Sequence, residues 1–425
     1  DTPLGSLVTL QRGVTYQSAK LGRPGPYLLG LGSIARNGGF RADNLKTYGG
    51  ESDPRTILEP GDIYVSLKDV TQSADLLGAV ARVPDFISQG RLTQDTVKLE
   101  FIEPGAVTEY IYWILRTPQY REYCRAHATG TTNLGLPRED FLNFPIPPLT
   151  SSRQLILDLL ELLEGKIEIN RRINETLDTI ARSLYRDWFI DFGPTRAKME
   201  GRKPYLGSDV WTLFPRKLNS DLLPEGWAKG NLSDFADLNS ESWTSANYPR
   251  FVTYVDLSST KWGTIDAVPR LSRKSAPSRA QRILRAGDTI IGTVRPGNGS
   301  YAYVSIGGLT GSTGFAVLRP KKEGFREAVY LASTSSENID RLAHLADGGA
   351  YPAIRPELVA KTEFVKASDE VISAFSALTR DLIGRAEANK RESATLIAAR
   401  DILLPQLMSG EIEVDGMDAM ALEGI

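Results

Sequence analysis

Few residues in this chain have the types and spacing that catalysis requires. The stretch "GLGSIA" (30–35) fits the pattern G-x-G-x-x-A, but "RNGGF" follows where a dinucleotide-binding helix would have to begin. "GGLTGSTG" (307–314) lacks the lysine of a phosphate-binding P-loop and is typical of a turn between strands. The motifs G-x-S-x-G, H-E-x-x-H and (Asn/Asp)-Pro-Pro-aromatic do not occur. The sequence therefore indicates no catalytic centre and no cofactor site in this chain.

The cysteine and the histidines do not indicate a metal site either. Cys124 is the single cysteine, which excludes an intramolecular disulfide and a cysteine-cluster metal site. His127 and His344 precede Gly130 and Gly348 at matching places, where the helix dipole favours an imidazole near a helix C-terminus. We expect a structural role for both histidines, with contact to a nucleic-acid phosphate as the alternative.

Basic residues give the clearer chemical signal. Lys68 and Arg295 each end a predicted strand after a Gly-Asp turn, where a cation can reach a phosphate or a guanine edge. The alternative is a solvated charge at a strand end. Residues 250–300 hold nine Lys/Arg and three acids, a local charge of +6 in a chain of net charge −2, which favours a polyanionic partner. The candidate nucleic-acid contacts are Lys68, Arg295, Arg36, Lys261, Thr131, Thr132, Arg273 and Lys274.

These candidates lie in two copies of one pattern. "LGSIARNGGF" (31–40) aligns with "VDLSSTKWGTI" (255–265), so that Gly39 meets Gly263. "EPGDIYVSLK" (59–68) aligns with "RAGDTIIGTVR" (285–295), and we place Lys68 over Arg295. "NRRINETLDTIARSLYRDWF" (170–189) aligns with "NKRESATLIAARDILLPQLM" (389–408). The shared order of weak matches predicts an internal duplication.

Each copy combines short β-rich segments with helices. Turn residues separate the predicted strands, and a helix follows each set, over about 108–128 and 326–346. The fold class is therefore α+β, with two tandem sheet-containing domains, each followed by a long helix.

The two long helices show a heptad pattern. Apolar and polar positions step by 3 and 4 from Ile156 to Leu184 and from Phe375 to Leu403, as in a coiled-coil seam. Two independent amphipathic helices are the alternative. If the helices pack antiparallel about a pseudo-twofold axis, Asn170 and Asn389 should meet near the axis and set the register, with Lys166 close to Glu392. The basic pairs 171–172 and 390–391 lie off the seam and face either solvent or a partner.

The chain resembles the specificity subunit of type I restriction–modification enzymes. The resemblance rests on "IARSLYRDWFIDFGPTRAKMEG" (180–201), "LPEGW" (223–227), "ARDILLPQLMSGEIEV" (399–414) and "GTTNLGLPREDFLNFPIPPLTSSRQ" (130–154). The second domain departs from the pattern, because "GGAYPAIRPELVAKTEFVKASDE" (348–370) lacks the Pro-Pro of the first.

The resemblance implies a target-recognition domain at 1–148, a spacer helix at 149–192 and a linker at 193–222. A second recognition domain at 223–366, a second spacer helix at 367–408 and a tail at 409–425 follow. It further implies a non-catalytic subunit that binds a bipartite, asymmetric site in double-stranded DNA. Its partners would be two modification subunits, which carry S-adenosylmethionine and methylate adenine, and the restriction subunits. A helical rod of roughly 55–60 Å would place half-site centres about 15 base pairs apart.

Composition fits this expectation. A chain of 425 residues, 41% hydrophobic and 24% charged, is typical of a globular protein of two to four domains. No membrane span and no secretory signal are visible, and one cysteine suits a reducing compartment, so we expect the cytoplasm. The alternatives are the specificity chain of a related restriction system, an independent DNA-binding regulator, or an enzyme with an unrecognised site.

Overall fold

The chain folds into two compact units that each take residues from both long helices. The computed structural model describes residues 1–42, 45–71, 73–103, 105–131, 133–266, 268–346 and 352–411. Unit 1 combines Asp1–Ile167 with the described residues from Ala394 onward, and unit 2 comprises Glu168–Ser393. The segment boundaries inferred from the sequence stay predictions, since the compact units divide both helices.

Unit 1 contains eleven short strands among its described residues, and two of its sheets dominate. Strands β2, β9, β5 and β7 form an antiparallel sheet in that order, and β3, β8 and β4 form a second sheet in which β3 and β8 are parallel. The strands are β1 (Thr2–Pro3), β2 (Val8–Arg12), β3 (Tyr27–Leu29), β4 (Ile57–Leu58), β5 (Ile63–Ser66), β6 (Lys68–Asp69), β7 (Val80–Arg82), β8 (Gly90–Leu92), β9 (Thr96–Phe101), β10 (Leu134–Gly135) and β11 (Pro145–Ile146).

Unit 2 repeats this plan. Its sheets have the orders β12-β21-β18-β19 and β16-β13-β20-β17, and β13 pairs in parallel with β20. The matching topology supports the predicted duplication. The strands are β12 (Ala236–Leu238), β13 (Phe251–Val255), β14 (Thr260–Lys261), β15 (Thr264–Ile265), β16 (Arg270–Ser272), β17 (Ala280–Leu284), β18 (Thr289–Gly292), β19 (Tyr301–Tyr303), β20 (Leu309–Ser312) and β21 (Phe315–Pro320).

The helices differ from the prediction mainly at two places, where two short helices are found instead of one predicted helix. The predicted helix over 108–128 is two helices, because Pro118 starts a new one whose N-terminal amide, that of Tyr120, donates to the Thr117 hydroxyl. The helices are α1 (Ala106–Ile114), α2 (Pro118–Ala126), α3 (Arg138–Leu142), α4 (Ser151–Phe189), α5 (Gly193–Met199), α6 (Ser208–Thr212), α7 (Arg326–Ser333), α8 (Ser336–Ala346), α9 (Pro356–Ala360) and α10 (Asp369–Ser409). Helices α7 and α8 likewise replace the predicted helix over 326–346.

Helices α4 and α10 run antiparallel within each unit. In unit 1, the Arg153 guanidinium donates to the carbonyls of Leu407 and Met408 at 3.0 and 2.8 Å. In unit 2, Asn170 Nδ2 donates to Glu392 Oε2 at 2.8 Å and Asn389 Nδ2 donates to Asn174 Oδ1 at 2.9 Å. Residue numbers rise along one helix as they fall along the other, which is the predicted orientation.

Asn170 and Asn389 both bond to the facing helix, and their role in setting the register stays a prediction. Asn170 and Asn389 are both buried, but each bonds to another polar side chain of the facing helix rather than to the other. The amide of Asn170 also reaches the Ser393 hydroxyl at 3.3 Å, and its oxygen has no partner among the described residues. The proximity of Lys166 to Glu392 stays a prediction.

The predicted seam of α4 is only partly buried. Leu159 and Ile180 were assigned to the seam, yet their side chains are 38% and 43% exposed. Ile156 of the predicted seam is buried. Outside the seam, α4 also buries Leu157 and Leu160 in unit 1, and Ala181, Tyr185 and Trp188 in unit 2. These side chains join the cores that contain the sheets and the short helices. Helix α4 therefore packs against the sheets of each unit as well as against α10. The heptad pattern did not show which apolar positions contact which neighbour.

Helix α10 contributes to both cores. Leu404 and Leu407 belong to the core of unit 1, with Trp113 and Ile156, whereas Phe375 belongs to that of unit 2. Among the described residues, no helix combines the length and the apolar character needed to cross a membrane.

Candidate nucleic-acid interface

Three segments of unit 2 are tied together by backbone hydrogen bonds. They are the hairpin Thr260–Ile265, the loop 293–300 after β18, and the segment 352–354. The amide of Trp262 donates to Gly299 O at 2.7 Å, and that of Arg295 donates to Pro352 O at 2.8 Å. We call these segments the candidate loops of unit 2, because they bring the candidate contacts Lys261 and Arg295 into one assembly of loops.

Unit 1 holds the equivalent loops by equivalent bonds. Its candidate loops are the hairpin 34–40 and the described parts of 67–79 and 129–136. Gly39 N donates to Val80 O at 2.8 Å, as Gly263 N donates to Tyr301 O at 2.9 Å, which supports the alignment of Gly39 with Gly263. The duplication therefore extends to the loops as well as to the sheets.

The predicted alignment of Lys68 with Arg295 is wrong by one residue. Leu136 N donates to Leu67 O, and Ile354 N donates to Thr293 O, each at 2.9 Å, which makes Leu67 and Thr293 equivalent. Lys68 accordingly pairs with Gly135 and its counterpart Val294 with Ala353, so Arg295 matches Asp69. The error arose because the Gly-Asp turns and the basic residues cannot both be aligned without a gap.

The buried carboxylate of Asp69 holds the loop after β6 in place by hydrogen bonds. The carboxylate is fully buried and accepts hydrogen bonds from Thr71 N at 2.7 Å, Thr71 Oγ1 at 2.8 Å and Leu76 N at 2.7 Å. The neighbouring Lys68 side chain is half exposed, and its Nζ lies 3.1 Å from Asp95 Oδ1. A buried acceptor thus fixes the loop while the lysine beside it faces solvent with one acidic partner.

The remaining candidates of unit 1 border the same loop. Arg36 is exposed and its Nε lies 3.8 Å from the carboxylate of Asp75, whose backbone carbonyl accepts from Asn37 N. Thr131 is exposed, and the strand β10 that follows it pairs with Lys68. Thr132 lies outside the described residues. The structure therefore brings Lys68, Arg36 and Thr131 around one loop.

Arg295 and Trp262 have unusual backbones in unit 2. Both have φ of 47°, in the left-handed region that residues other than glycine seldom adopt. The Arg295 side chain is exposed, and no hydrogen bond or ion pair joins its guanidinium to another described residue. The Trp262 indole is 53% exposed and packs edge-on to Tyr301 with ring centroids 6.0 Å apart. Lys261, also exposed, precedes it.

Trp262 is the functional candidate that the sequence reasoning missed. Its indole lies over Gly299, where an added Cβ would stand 2.5 Å from the ring, so only glycine allows this contact. The available signal was the pair Trp262-Gly263 in the repeat, opposite Gly38-Gly39 of the first copy.

The other basic candidates lie apart from the candidate loops. Arg273 donates to Ser245 O at 2.7 Å and lies over the Tyr248 ring, so it fixes a loop of its own unit. Lys274 beside it is exposed. The structure groups these two residues with β13 and β16 rather than with Lys261 and Arg295.

Some of the basic residues between positions 250 and 300 form ion pairs within unit 2. Arg279 and Asp256 form an ion pair of 2.7 Å, and Arg285 and Glu241 form one of 2.6 Å. Burial alone would raise the pKa of the Asp256 carboxyl, but hydrogen bonds from Ser258 N and Arg279 outweigh it and the pKa lies below its usual value. Arg279 and Arg285 therefore serve the fold.

The comparisons with known proteins agree with this architecture. No family model matches the chain. The type I restriction enzyme HindI specificity subunit of Haemophilus influenzae is 23% identical over 378 residues, which cover 75% of this chain and 81% of that protein. The chain is therefore similar in sequence to a type I specificity subunit over about three quarters of its length. The MjaIX specificity subunit of Methanocaldococcus jannaschii is 29% identical over 139 residues, 32% of this chain and 29% of that protein.

A comparison with solved structures also shows the fold of a type I specificity subunit. The crystal structure of the S subunit of the type I restriction–modification system from M. genitalium matches with a TM-score of 0.53 and covers 96% of this chain and 95% of that one, at 16% identity. The predicted resemblance and the α+β fold class are thus confirmed.

The basic pairs of the long helices have contacts within this specificity-subunit fold. Lys390 Nζ donates to Gly263 O at 2.6 Å and so fixes the hairpin of the candidate loops to α10. Arg391 Nη1 donates to the Ser305 hydroxyl at 3.3 Å. In the first pair, Arg171 and Arg172 both contact Glu168 on their own helix. The pair 390–391 therefore contacts loops of unit 2, a role that the sequence did not indicate.

His127 has the structural role that was predicted. It caps the C-terminus of α2, its Nδ1 lies 2.9 Å from Tyr123 O, and its ring stacks on Tyr123 with centroids 4.0 Å apart. Among the described residues, no group of His, Cys, Asp and Glu has the arrangement of a metal site.

Proposed function

We propose that this chain is the non-catalytic subunit that gives a type I restriction–modification complex its DNA sequence specificity, and that each unit reads one half of a bipartite site. The observation that carries the proposal is the equivalence of the candidate loops. The same backbone hydrogen bonds hold them in both units, whereas their side chains differ. One backbone plan with two sets of side chains suits two DNA half-sites of different sequence.

The charges of the candidate loops support contact with DNA. Lys261 and Arg295 are exposed in unit 2, and Lys68 and Arg36 are exposed in unit 1 with one carboxylate near each. Both carboxylates are partly exposed, and a phosphate can replace each as partner at little cost, because surface ion pairs contribute at most about 1 kcal/mol. These cations would supply salt-dependent affinity, and those that reach base edges would supply specificity.

Trp262 adds a rigid element to the loops of unit 2. Its backbone bond to Gly299 and its contact with Tyr301 hold the indole in place while half of it stays exposed. An ordered aromatic side chain loses little conformational entropy on binding. We assign Trp262 to the surface that meets the DNA, next to Lys261 and Arg295.

Assembly with other subunits follows from the same proposal. The chain lacks the tetrapeptide and glycine-rich motifs of a methyltransferase, so two modification subunits would supply S-adenosylmethionine and adenine methylation in the cytoplasm, and restriction subunits would join them. Exposed apolar side chains on α4, namely Leu155, Leu159 and Leu162, are spaced by 4 and 3 residues on one face of unit 1. Such a face suits a helix of a modification subunit.

The decisive experiment maps adenine methylation in cells that contain the modification subunit, with and without this chain. We expect methylation at a two-part sequence only when the chain is present. Methylation that is the same without the chain would contradict the proposal. Tight, sequence-specific binding by the purified chain, with no change in methylation, would identify an independent regulator instead.

A further inference from the structure

An exposed aromatic ring of unit 2 lies close to two arginines. Phe251 begins β13 and its side chain is 43% exposed. The guanidinium carbons of Arg250 and Arg270 lie 5.4 and 5.0 Å from the centre of its ring. Arg270 belongs to β16, the edge strand that pairs with β13. We call these three residues the arginine–phenylalanine patch.

The cations of the patch are available for a ligand. Neither guanidinium has a hydrogen bond or ion pair with another described residue, unlike Arg279 and Arg285, which flank β17 of the same sheet. The exposed Lys274 and the tethered Arg273 follow β16 directly. Cation–π contact with an exposed ring stabilises each arginine by only about 0.5–1 kcal/mol, so it orders the side chains without neutralising them.

Unit 1 has no such patch among its described residues. The turn Leu31–Ser33 matches Leu257–Ser259, and the bond Leu28 N to Lys46 O matches Tyr254 N to Pro269 O. In this register the counterparts of Arg250, Phe251 and Arg270 are Pro24, Gly25 and Thr47. The patch is thus a feature of one unit only, outside the loops that the two units share.

We propose that the arginine–phenylalanine patch binds phosphates of the DNA duplex beside the half-site that unit 2 reads. This inference rests on the proposed function. Phe251 and Val255 are four residues apart on β13, or roughly 13 Å at about 3.3 Å per residue, and the hairpin follows shortly after. With base pairs about 3.4 Å apart along the helix axis, a strand lying along the duplex would place this contact roughly four base pairs from the half-site. Unit 2 therefore holds a longer stretch of duplex than unit 1.

The test is the salt dependence of DNA binding by the assembled complex. The double variant Arg250→Ala, Arg270→Ala removes two phosphate contacts, so the slope of log K against log salt should become shallower by about 1.8. The preferred sequence should not change. The control Lys217→Ala, Lys229→Ala removes two exposed cations of the same unit that lie outside the patch, and it should leave the slope unchanged.

Truncated duplexes locate the contact. Wild-type complex should lose affinity when the duplex ends fewer than about four base pairs beyond one side of the second half-site, and the double variant should not. Equal slopes for the variant and the wild type would overturn the patch while leaving sequence-specific binding intact. Loss of subunit assembly with unchanged DNA binding would also overturn it, in favour of a protein partner. A wild-type complex that binds no DNA would instead contradict the proposed function.

Discussion

The equivalent loop positions 69 and 295 hold side chains of opposite charge, and the first is buried whereas the second is exposed. Asp69 is buried and accepts three hydrogen bonds from its own loop, whereas Arg295 is exposed and has no side-chain partner among the described residues. The longer loop of unit 1 needs an internal acceptor, because its backbone amides would otherwise be unsatisfied. In unit 2 a left-handed backbone makes the turn, and the side chain is left for a ligand.

Arg295→Ala should weaken DNA binding by the assembled complex. If the guanidinium reads a base, discrimination at that base pair should fall by about 1–3 kcal/mol, whereas a phosphate contact should weaken all sequences alike. Competition binding with duplexes changed at single positions separates the two results. Arg216→Ala is the matched control, since it removes an exposed arginine outside the candidate loops. Binding equal to wild type across a salt series would remove Arg295 from the interface.

The sequence predicted the chemistry of these loops better than their register. Charge counting identified Lys261 and Arg295 as candidate contacts, and the repeat aligned the segments that contain the hairpins, because both signals are local. Pairing Lys68 with Arg295 failed because equivalence is set by the bonds of Leu67 and Thr293 to distant segments. Trp262 escaped notice because its exposure depends on Gly299 lying beneath its ring, a contact between separate loops.

Glu327 should make the stability of unit 2 depend on pH. Its side chain is 2% exposed, its Oε2 has no hydrogen-bond partner among the described residues, and its Oε1 accepts from the Tyr303 hydroxyl at 3.4 Å. Burial raises the pKa of this carboxyl, and the nearby Arg380 and Arg326 offset only part of the rise. Above about pH 4.5 the unfolded chain loses this proton before the folded chain does, so stability should fall as pH rises to the folded-state pKa.

Denaturant unfolding from pH 4.5 to 8 measures this effect. Glu327→Gln cannot ionise, so the decline attributable to this residue should be absent from the variant. The variant should therefore gain stability relative to wild type as pH increases. Parallel stability curves for the two proteins would show that the buried carboxyl does not titrate differently in the folded state.

At the scale of elements, each long helix serves two purposes. In unit 2, α4 buries Tyr185 and Trp188 in the sheet domain's core and presents Asn170 and Asn174 to α10. The heptad pattern predicted the existence and length of both helices, because apolar periodicity is strong over many turns. Their antiparallel orientation was inferred from the pseudo-twofold axis that the duplication implies. The heptad pattern could not predict which apolar positions face the sheet domain, since either neighbour satisfies the same spacing.

The bond between Asn174 and Asn389 should couple the two helices energetically. In a double-mutant cycle with alanine at both positions, we expect a coupling energy of about 0.5–1.5 kcal/mol, the usual net contribution of one such hydrogen bond. Denaturant unfolding gives the four free energies. The control cycle pairs Asn389→Ala with Thr176→Ala, since the Thr176 hydroxyl bonds to Arg172 O of its own helix, and its coupling should stay below about 0.5 kcal/mol. Similar coupling in both cycles would argue against a specific bond.

At the scale of the whole molecule, the chain order and the compact units do not coincide. The core of unit 1 takes Leu404 and Leu407 from the far end of the sequence, and Arg153 donates to the carbonyl of Leu407. The repeat alone predicts the order of domains and helices along the chain. It does not predict that the end of α10 packs in unit 1, because that packing joins residues more than 240 positions apart in the sequence. Removing the end of α10 should therefore destabilise unit 1.

Leu155 and Leu162 test how this molecule joins its partners. Their side chains are 52% and 70% exposed in unit 1, so changing both to serine should alter the stability of the isolated chain by less than about 1 kcal/mol. If a modification subunit covers this face, each change should weaken association by about 1–2 kcal/mol, since each leucine loses apolar burial. Titration calorimetry with the purified modification subunit measures the loss. Leu222→Ser, which alters an equally exposed leucine in unit 2, should bind as the wild type does. Unchanged affinity in the double variant would show that the partner docks on another surface.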